Sequence, residues 1–259
     1  MSVSIAIKVS DGLVLASDSA TSIAVTDEQG NTGIAKVYEN ADKIAQIGNC
    51  PVGVTTWGIG SLQSKTITRL VEEFGDSNLD NNEFTESDLD NFVDFFHELY
   101  TDEYGPAKEN KPNLGLAIGG IIGSEEPVLN LINFPEPAER KVLRREGDFG
   151  ANWFGQIAAI SRLHKGYAPQ LPKLLAHETD LSQEEINNIL AKLEQTVYWG
   201  GMPLQDAIDF AYSLIATSKD FHKFGSGPPT CGGPIDVAII SNGRFEWIKQ
   251  KELKVRAEV

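Results

Sequence analysis

Cysteine is scarce. Cys50 and Cys231 are the only two in the chain, far apart and outside any CxxC or zinc-ligand spacing, which argues against a disulfide framework or a structural zinc and fits a reducing compartment. Long apolar runs are lacking too: no stretch reaches the roughly 18 consecutive apolar residues of a membrane-spanning helix, so no membrane partner is expected. Near the start, Lys8, Asp11 and Asp18 interrupt the run that a secretory signal would need; the segment reads as structure, and the expected location is the cytoplasm. Positive charge is the third shortage. Against 37 Asp and Glu stand 22 Lys and Arg, a net charge of −15, and no basic cluster interrupts a field that repels phosphate backbones. Nucleic acid is not an expected partner. The histidines, His97, His164, His177 and His222, share no metal spacing, so neither a metal nor a cofactor is assigned.

What the chain does have is apolar content, 41% of its 259 residues, enough for one large core, and residues 1–259 read as a single domain. β-branched and apolar residues at 2–9 and 13–17 flank Asp11-Gly12, a dipeptide that favours a tight turn, which predicts a hairpin. Further short strands are expected at 44–47, 52–57, 114–123 and 128–132, and a closing hairpin at 235–241 and 244–248 across Asn242-Gly243. Helical periodicity runs over 62–74, and Phe92, Phe95, Phe96 and Leu99 share one helix face. The acidic, Asn-rich residues 76–86 have no apolar rhythm and read as a surface excursion. Ser182 and Glu185 form a capping box ahead of Ile186, Ile189, Leu190, Leu193 and Val197, and Pro203 suits the first turn of a helix carrying Leu204, Ile208, Ala211, Tyr212 and Ile215. Strands, then helices, then a hairpin predict an α+β fold of antiparallel sheets covered by helices.

Three stretches carry a resemblance: Ser2-Val3-Ser4-Ile5-Ala6-Ile7-Lys8, then Asp11-Gly12-Leu13-Val14-Leu15-Ala16-Ser17-Asp18, then Lys43-Ile44-Ala45-Gln46-Ile47. In that order they resemble the opening of proteasome β-type subunits and their bacterial proteasome-like relatives, N-terminal-nucleophile (Ntn) hydrolases. The far end agrees: Gly201-Met202-Pro203-Leu204-Gln205-Asp206-Ala207 is similar to the start of the family's penultimate helix, and Gly232-Gly233-Pro234-Ile235-Asp236-Val237-Ala238 to the strand after it. The resemblance covers residues 2–70 and 202–248, and between them only the order of elements matches. It implies a four-layer αββα sandwich of two antiparallel sheets, hydrolysis of amide bonds, a peptide or unfolded protein as substrate, and a homo-oligomeric ring, with an ATPase or other cap left open as a partner.

The resemblance also assigns roles. Ser2 stands where the family has its nucleophilic Thr, Asp18 and Lys43 match its Asp and Lys, and backbone groups at Ser22 and Gly58 would pair with an extended peptide. The Gly58 amide would also face the oxyanion, and Thr56 would border the first specificity pocket. The family's Gly-Ser-Gly corresponds to Asp148-Phe149-Gly150-Ala151, which lacks the Ser; Cys231 replaces a supporting Ser, and the supporting Asp falls at Asp220. A free α-amine is required, since an N-terminal hydroxyl attacks while its own amine takes the proton. Ser2 has both groups once Met1 is removed, as expected before a small residue. Lys43 would keep the local potential positive, and Asp18 would orient its ammonium. Two other readings stay open: a non-catalytic proteasome-like scaffold or assembly subunit, and an Ntn amidase or transpeptidase.

Overall fold

A computed structural model describes residues 2–26, 29, 32–79, 82–105, 111–135 and 140–253; Met1, whose removal is expected, lies outside them. The first hairpin forms as its sequence predicts, with β1 (Val3–Val9) against β2 (Gly12–Asp18). A second hairpin follows that the sequence reading did not identify, β3 (Thr21–Thr26) with β4 (Thr32–Tyr38). Next come β5 (Ile44–Gln46), β6 (Val52–Gly58) and a minimal hairpin of β7 (Ser61–Leu62) and β8 (Lys65–Thr66).

That small hairpin corrects the expected helix over 62–74. Gln63 and Ser64 both take positive φ, +47° and +66°, and close a turn, so the helix starts only after Thr66, whose hydroxyl accepts from the Arg69 amide. The result is α1 (Ile67–Asn78), which absorbs Asp76 into its last turn. Thr85 and Asp88 then form a capping box that opens α2 (Glu86–Tyr104), with Phe92 and Phe96 fully buried on one face. β9 (Leu114–Gly120) and β10 (Val128–Phe134) follow, then β11 (Lys141–Arg144) and β12 (Gly150–Gly155).

The helical stretch contains α3 (Ala158–Ile160), running into a π-helical turn at Ser161–Lys165, and α4 (Leu171–Glu178). The expected capping box opens α5 (Gln183–Leu190), where Ser182 and Glu185 exchange side-chain-to-amide bonds of 3.3 and 2.8 Å. α6 (Leu204–Lys223) starts directly after Pro203. The chain closes on β13 (Ile235–Ser241) and β14 (Arg244–Lys249), whose turn uses positive φ at Asn242 and Gly243.

The fold is mixed α and β. One five-stranded sheet has the order β12-β1-β2-β13-β14 and the other β11-β10-β9-β6-β5, with every pairing in both antiparallel. Alternation along β1 and β2 sorts their side chains between two cores. Val3, Ile5, Ile7, Val14 and Ala16 pack with Ala211 and Ile215 of α6. Ala6, Leu13 and Leu15 instead meet Ile44, Ala117 and Leu129 of the second sheet. A third cluster joins α1 and α2 to that second sheet through Phe74, Phe92, Phe96, Val54 and Ile118; each large side chain removed from water there contributes about 2–3 kcal/mol.

Candidate active site

Residue 2 sits immediately before β1, which is hydrogen-bonded on both sides, and the peptide group that follows it is held at both its oxygen and its nitrogen. The Ser2 carbonyl accepts from the Gln156 amide at 2.7 Å, and the amide of the next residue, Val3, donates to Asp18 Oδ1 at 3.0 Å. Gly155 makes the first contact possible. It has φ +76°, and a Cβ there would lie 2.0 Å from the Ser2 carbonyl oxygen, so no other residue fits without displacing the chain start. The family resemblance places the corresponding segment at Asp148–Ala151, but Gly150 faces Lys8, at the opposite end of β1. The segment that leads from strand to helix beside Ser2 is Gly155-Gln156-Ile157. With Gln at its centre it lacks the Ser that would have marked it, and its one sequence cue is a Gly just ahead of an apolar helical run.

Asp18 ends β2 and is fully buried. Besides Val3 it receives Lys43 Nζ at 2.6 Å on Oδ1, and the amides of Gly232 at 2.9 Å and Ala20 at 3.2 Å on Oδ2. A carboxylate without water keeps its charge only when its lone pairs are met in this way. Lys43 is held through its backbone too, its carbonyl accepting from the Thr56 amide at 2.9 Å. Burial pushes the Lys43 ammonium below the ordinary lysine range; Asp18 opposes that shift, and the Lys251 ammonium adds to it. Burying two charges carries a desolvation cost that the pair's attraction barely repays, so such a pair is weak as a stabilising device and is characteristic of functional sites.

Ser2 and Lys43 line one cavity of about 600 Å³, together with Ser22 on β3, Thr56 and Gly58 on β6, and Asp42. The structure therefore gathers the Ser2, Ser22, Lys43, Thr56 and Gly58 of the sequence reading, with Asp18 directly behind. Gly58 is conformationally fixed, with φ +94° and space for a Cβ only 2.1 Å from the Asn113 carbonyl oxygen. Among the described residues, the buried hydroxyls of Ser22 and Thr56 have no hydrogen-bond partner, which is costly unless a ligand supplies one.

The two supporting positions separate. Cys231 is buried within reach of both Asp18 and Lys43; burial pushes its thiol up to about 12, with Asp18 adding and Lys43 opposing, so at neutral pH it is an uncharged thiol and a poor nucleophile. Asp220 is corrected: it is exposed near the end of α6 and is not part of the cavity wall. The α6 side chain that senses Asp18 is His222, two residues on, its Nδ1 3.1 Å from Thr230 Oγ1 and its pKa lowered by burial against the pull of Asp18.

The cavity thus combines a hydroxyl at residue 2, a desolvated ammonium, a glycine backbone and unpaired hydroxyls, the parts needed to attack and hold a carbonyl compound. Compared with protein-family models and with curated proteins, the chain matches none.

Proposed function

We propose that the chain is a proteasome-like N-terminal-nucleophile peptidase, folded as a four-layer αββα sandwich and acting through Ser2. The four-layer reading is supported by an apolar core shared between the two five-stranded sheets, with α1 and α2 packed on one sheet and α6 on the other. The observation that carries the function is that Ser2 shares the wall of a single cavity with Lys43, whose ammonium is paired to the buried Asp18 behind it.

With Met1 removed, the Ser2 hydroxyl adds to the substrate carbonyl carbon while its proton passes to the Ser2 α-amine, directly or through a water. Lys43 stabilises the developing negative charge, and the Gly58 amide donates to the oxyanion. The tetrahedral adduct collapses, the C–N bond breaks, and the departing amine takes the proton back. Water then hydrolyses the Ser2 ester. An extended peptide would align with β3, its backbone pairing with groups at Ser22 and Gly58.

The test is the intact mass of protein made in cells, before and after an inhibitor directed at N-terminal Ser or Thr, for wild type and Ser2→Ala. Loss of Met1 and an adduct that requires Ser2 are the expected result. Retained Met1 without an adduct would move the assignment to the scaffold reading.

A further inference from the structure

Behind the Asp18–Lys43 pair lies a second ionic cluster built from a distant part of the chain. After β14 the backbone turns back, and Lys251, itself half-buried, has only 5% of its side chain exposed. Its ammonium meets Asp236 Oδ2 and, at 2.8 Å, Asp42 Oδ1. Its backbone amide donates to Asp236 Oδ1 at 2.8 Å, and Ser19 Oγ lies 3.4 Å from Asp236 Oδ2.

The second cluster attaches to the neighbours of the first. Ser19 follows Asp18 and Asp42 precedes Lys43, so Lys251 bridges the two chain segments that carry the inner pair. Those segments are also tied directly, by the Ala41 amide on the Ser19 carbonyl at 2.9 Å. Asp236, with only 5% of its side chain exposed, depends on Lys251 for its counter-charge, whereas Asp42 is 60% exposed at the cavity wall.

We propose that Lys251 is a positioning residue of this site: its ammonium clamps Asp42 and Asp236 behind the Asp18–Lys43 pair, fixing the segment that carries Lys43 and adding a second positive charge to its surroundings. This rests on the peptidase reading for its consequence in catalysis, and on the ion pairs to Asp42 and Asp236 together with the like charge of Lys251 for its effect on Lys43. The charged and titratable groups around Lys43 are Asp18 from β2, Cys231 from the loop before β13, Asp42 beside it, and Lys251 with Asp236 behind; His222 approaches Asp18 from α6, and in the processed chain the Ser2 α-amine joins them at the cavity. Removing Lys251 takes away a cation and uncovers two carboxylates, and both changes favour the protonated form of Lys43. Neutralising Asp42 does the reverse. A purely mechanical fastening would give no such opposition of sign.

The experiment is an NMR titration of protein carrying ε-¹³C-labelled lysine, with the Lys43 resonance assigned by its loss in Lys43→Arg. Expected is a rise in the Lys43 midpoint for Lys251→Met, a return to wild type for Lys251→Arg, and a fall for Asp42→Asn. The alkaline limb of the Ser2-dependent rate should move in the same directions. Asp42 is exposed, so Asp42→Asn carries the comparison if Lys251→Met fails to fold. An unmoved midpoint, or Lys251→Met and Asp42→Asn shifting it the same way, would overturn the proposal. A wild type that takes no Ser2 adduct would sink the peptidase reading, while the titration still decides the role of Lys251.

Discussion

Lys8 and Lys43 are both buried lysines paired with a carboxylate, one at each end of β1, and their surroundings differ in one respect that matters. Lys8 reaches outward: its ammonium donates to the Arg145 carbonyl at 2.7 Å and meets Glu126 at 3.3 Å, and that glutamate is 48% exposed. Lys43 reaches inward to Asp18, which has no exposure at all. At the Lys8 end water can take over if the pair is broken. At the Lys43 end Asp18 is closed off from water and keeps only its backbone amide donors, and there the cavity opens onto Lys43. A buried charge therefore says little about function until the exposure of its partner is known.

The comparison is broken most directly by removing each ammonium in turn. Lys43→Met leaves the Asp18 carboxylate buried without its counter-charge, and we expect a loss of about 3–5 kcal/mol in denaturant unfolding. The Ser2-dependent rate should fall about 100-fold or more. Gly155→Ala strikes the same end without touching a charge: positive φ and the Ser2 carbonyl together should cost about 1–3 kcal/mol, read as a lower melting temperature and slower labelling of Ser2.

The pH dependence sharpens the contrast. Burial favours neutral Lys43, so its proton leaves below the ordinary 10.5, and a rate that needs the ammonium falls off before that pH is reached. Stability has the opposite sign. Between the folded midpoint and 10.5 the unfolded chain binds more protons, so stability rises with pH across that window, and Lys43→Met should flatten the rise in denaturation curves taken at successive pH values. The smallest effect belongs to Lys8→Met, which leaves a half-exposed glutamate in contact with water. The melting temperature should change by less than about 4 °C and Ser2 labelling should be unaffected; slowed labelling would mean that the two ends of β1 are coupled.

Much of this was legible in the sequence where local chemistry decides the structure. Asp11-Gly12 and Asn242-Gly243 announced their hairpins, and the Ser182–Glu185 box announced its helix, because turn and cap preferences act over a few residues. The expected positions of Ser2, Lys43, Thr56 and Gly58 meet at one cavity. The start of α1 was misread because the apolar rhythm begins at Leu62, whereas the turn at Gln63 and Ser64 uses left-handed backbone that neither residue advertises. β12 was missed because it begins and ends in glycine and has no β-branched residue. Asp220 was a spacing argument, and the loop carrying Pro228 and Pro229 has no fixed length for such an argument to use. The Lys251 cluster was beyond local reading altogether, since its partners lie 15 residues away at Asp236 and in the segment before β5.

Asp18 also has a consequence for the order of events in folding. Besides the neighbouring Ala20, its donors come from residues 15, 25 and 214 positions distant in the chain, at Val3, Lys43 and Gly232. Local hairpins close quickly, whereas contacts of large separation wait on the slow search that brings chain ends together. The carboxylate can be fully enclosed only after the last hairpin has docked against β2. A refolding chain should therefore recover its strand signal in circular dichroism well before it recovers a reactive Ser2, and the lag between the two would time the closure of the first sheet.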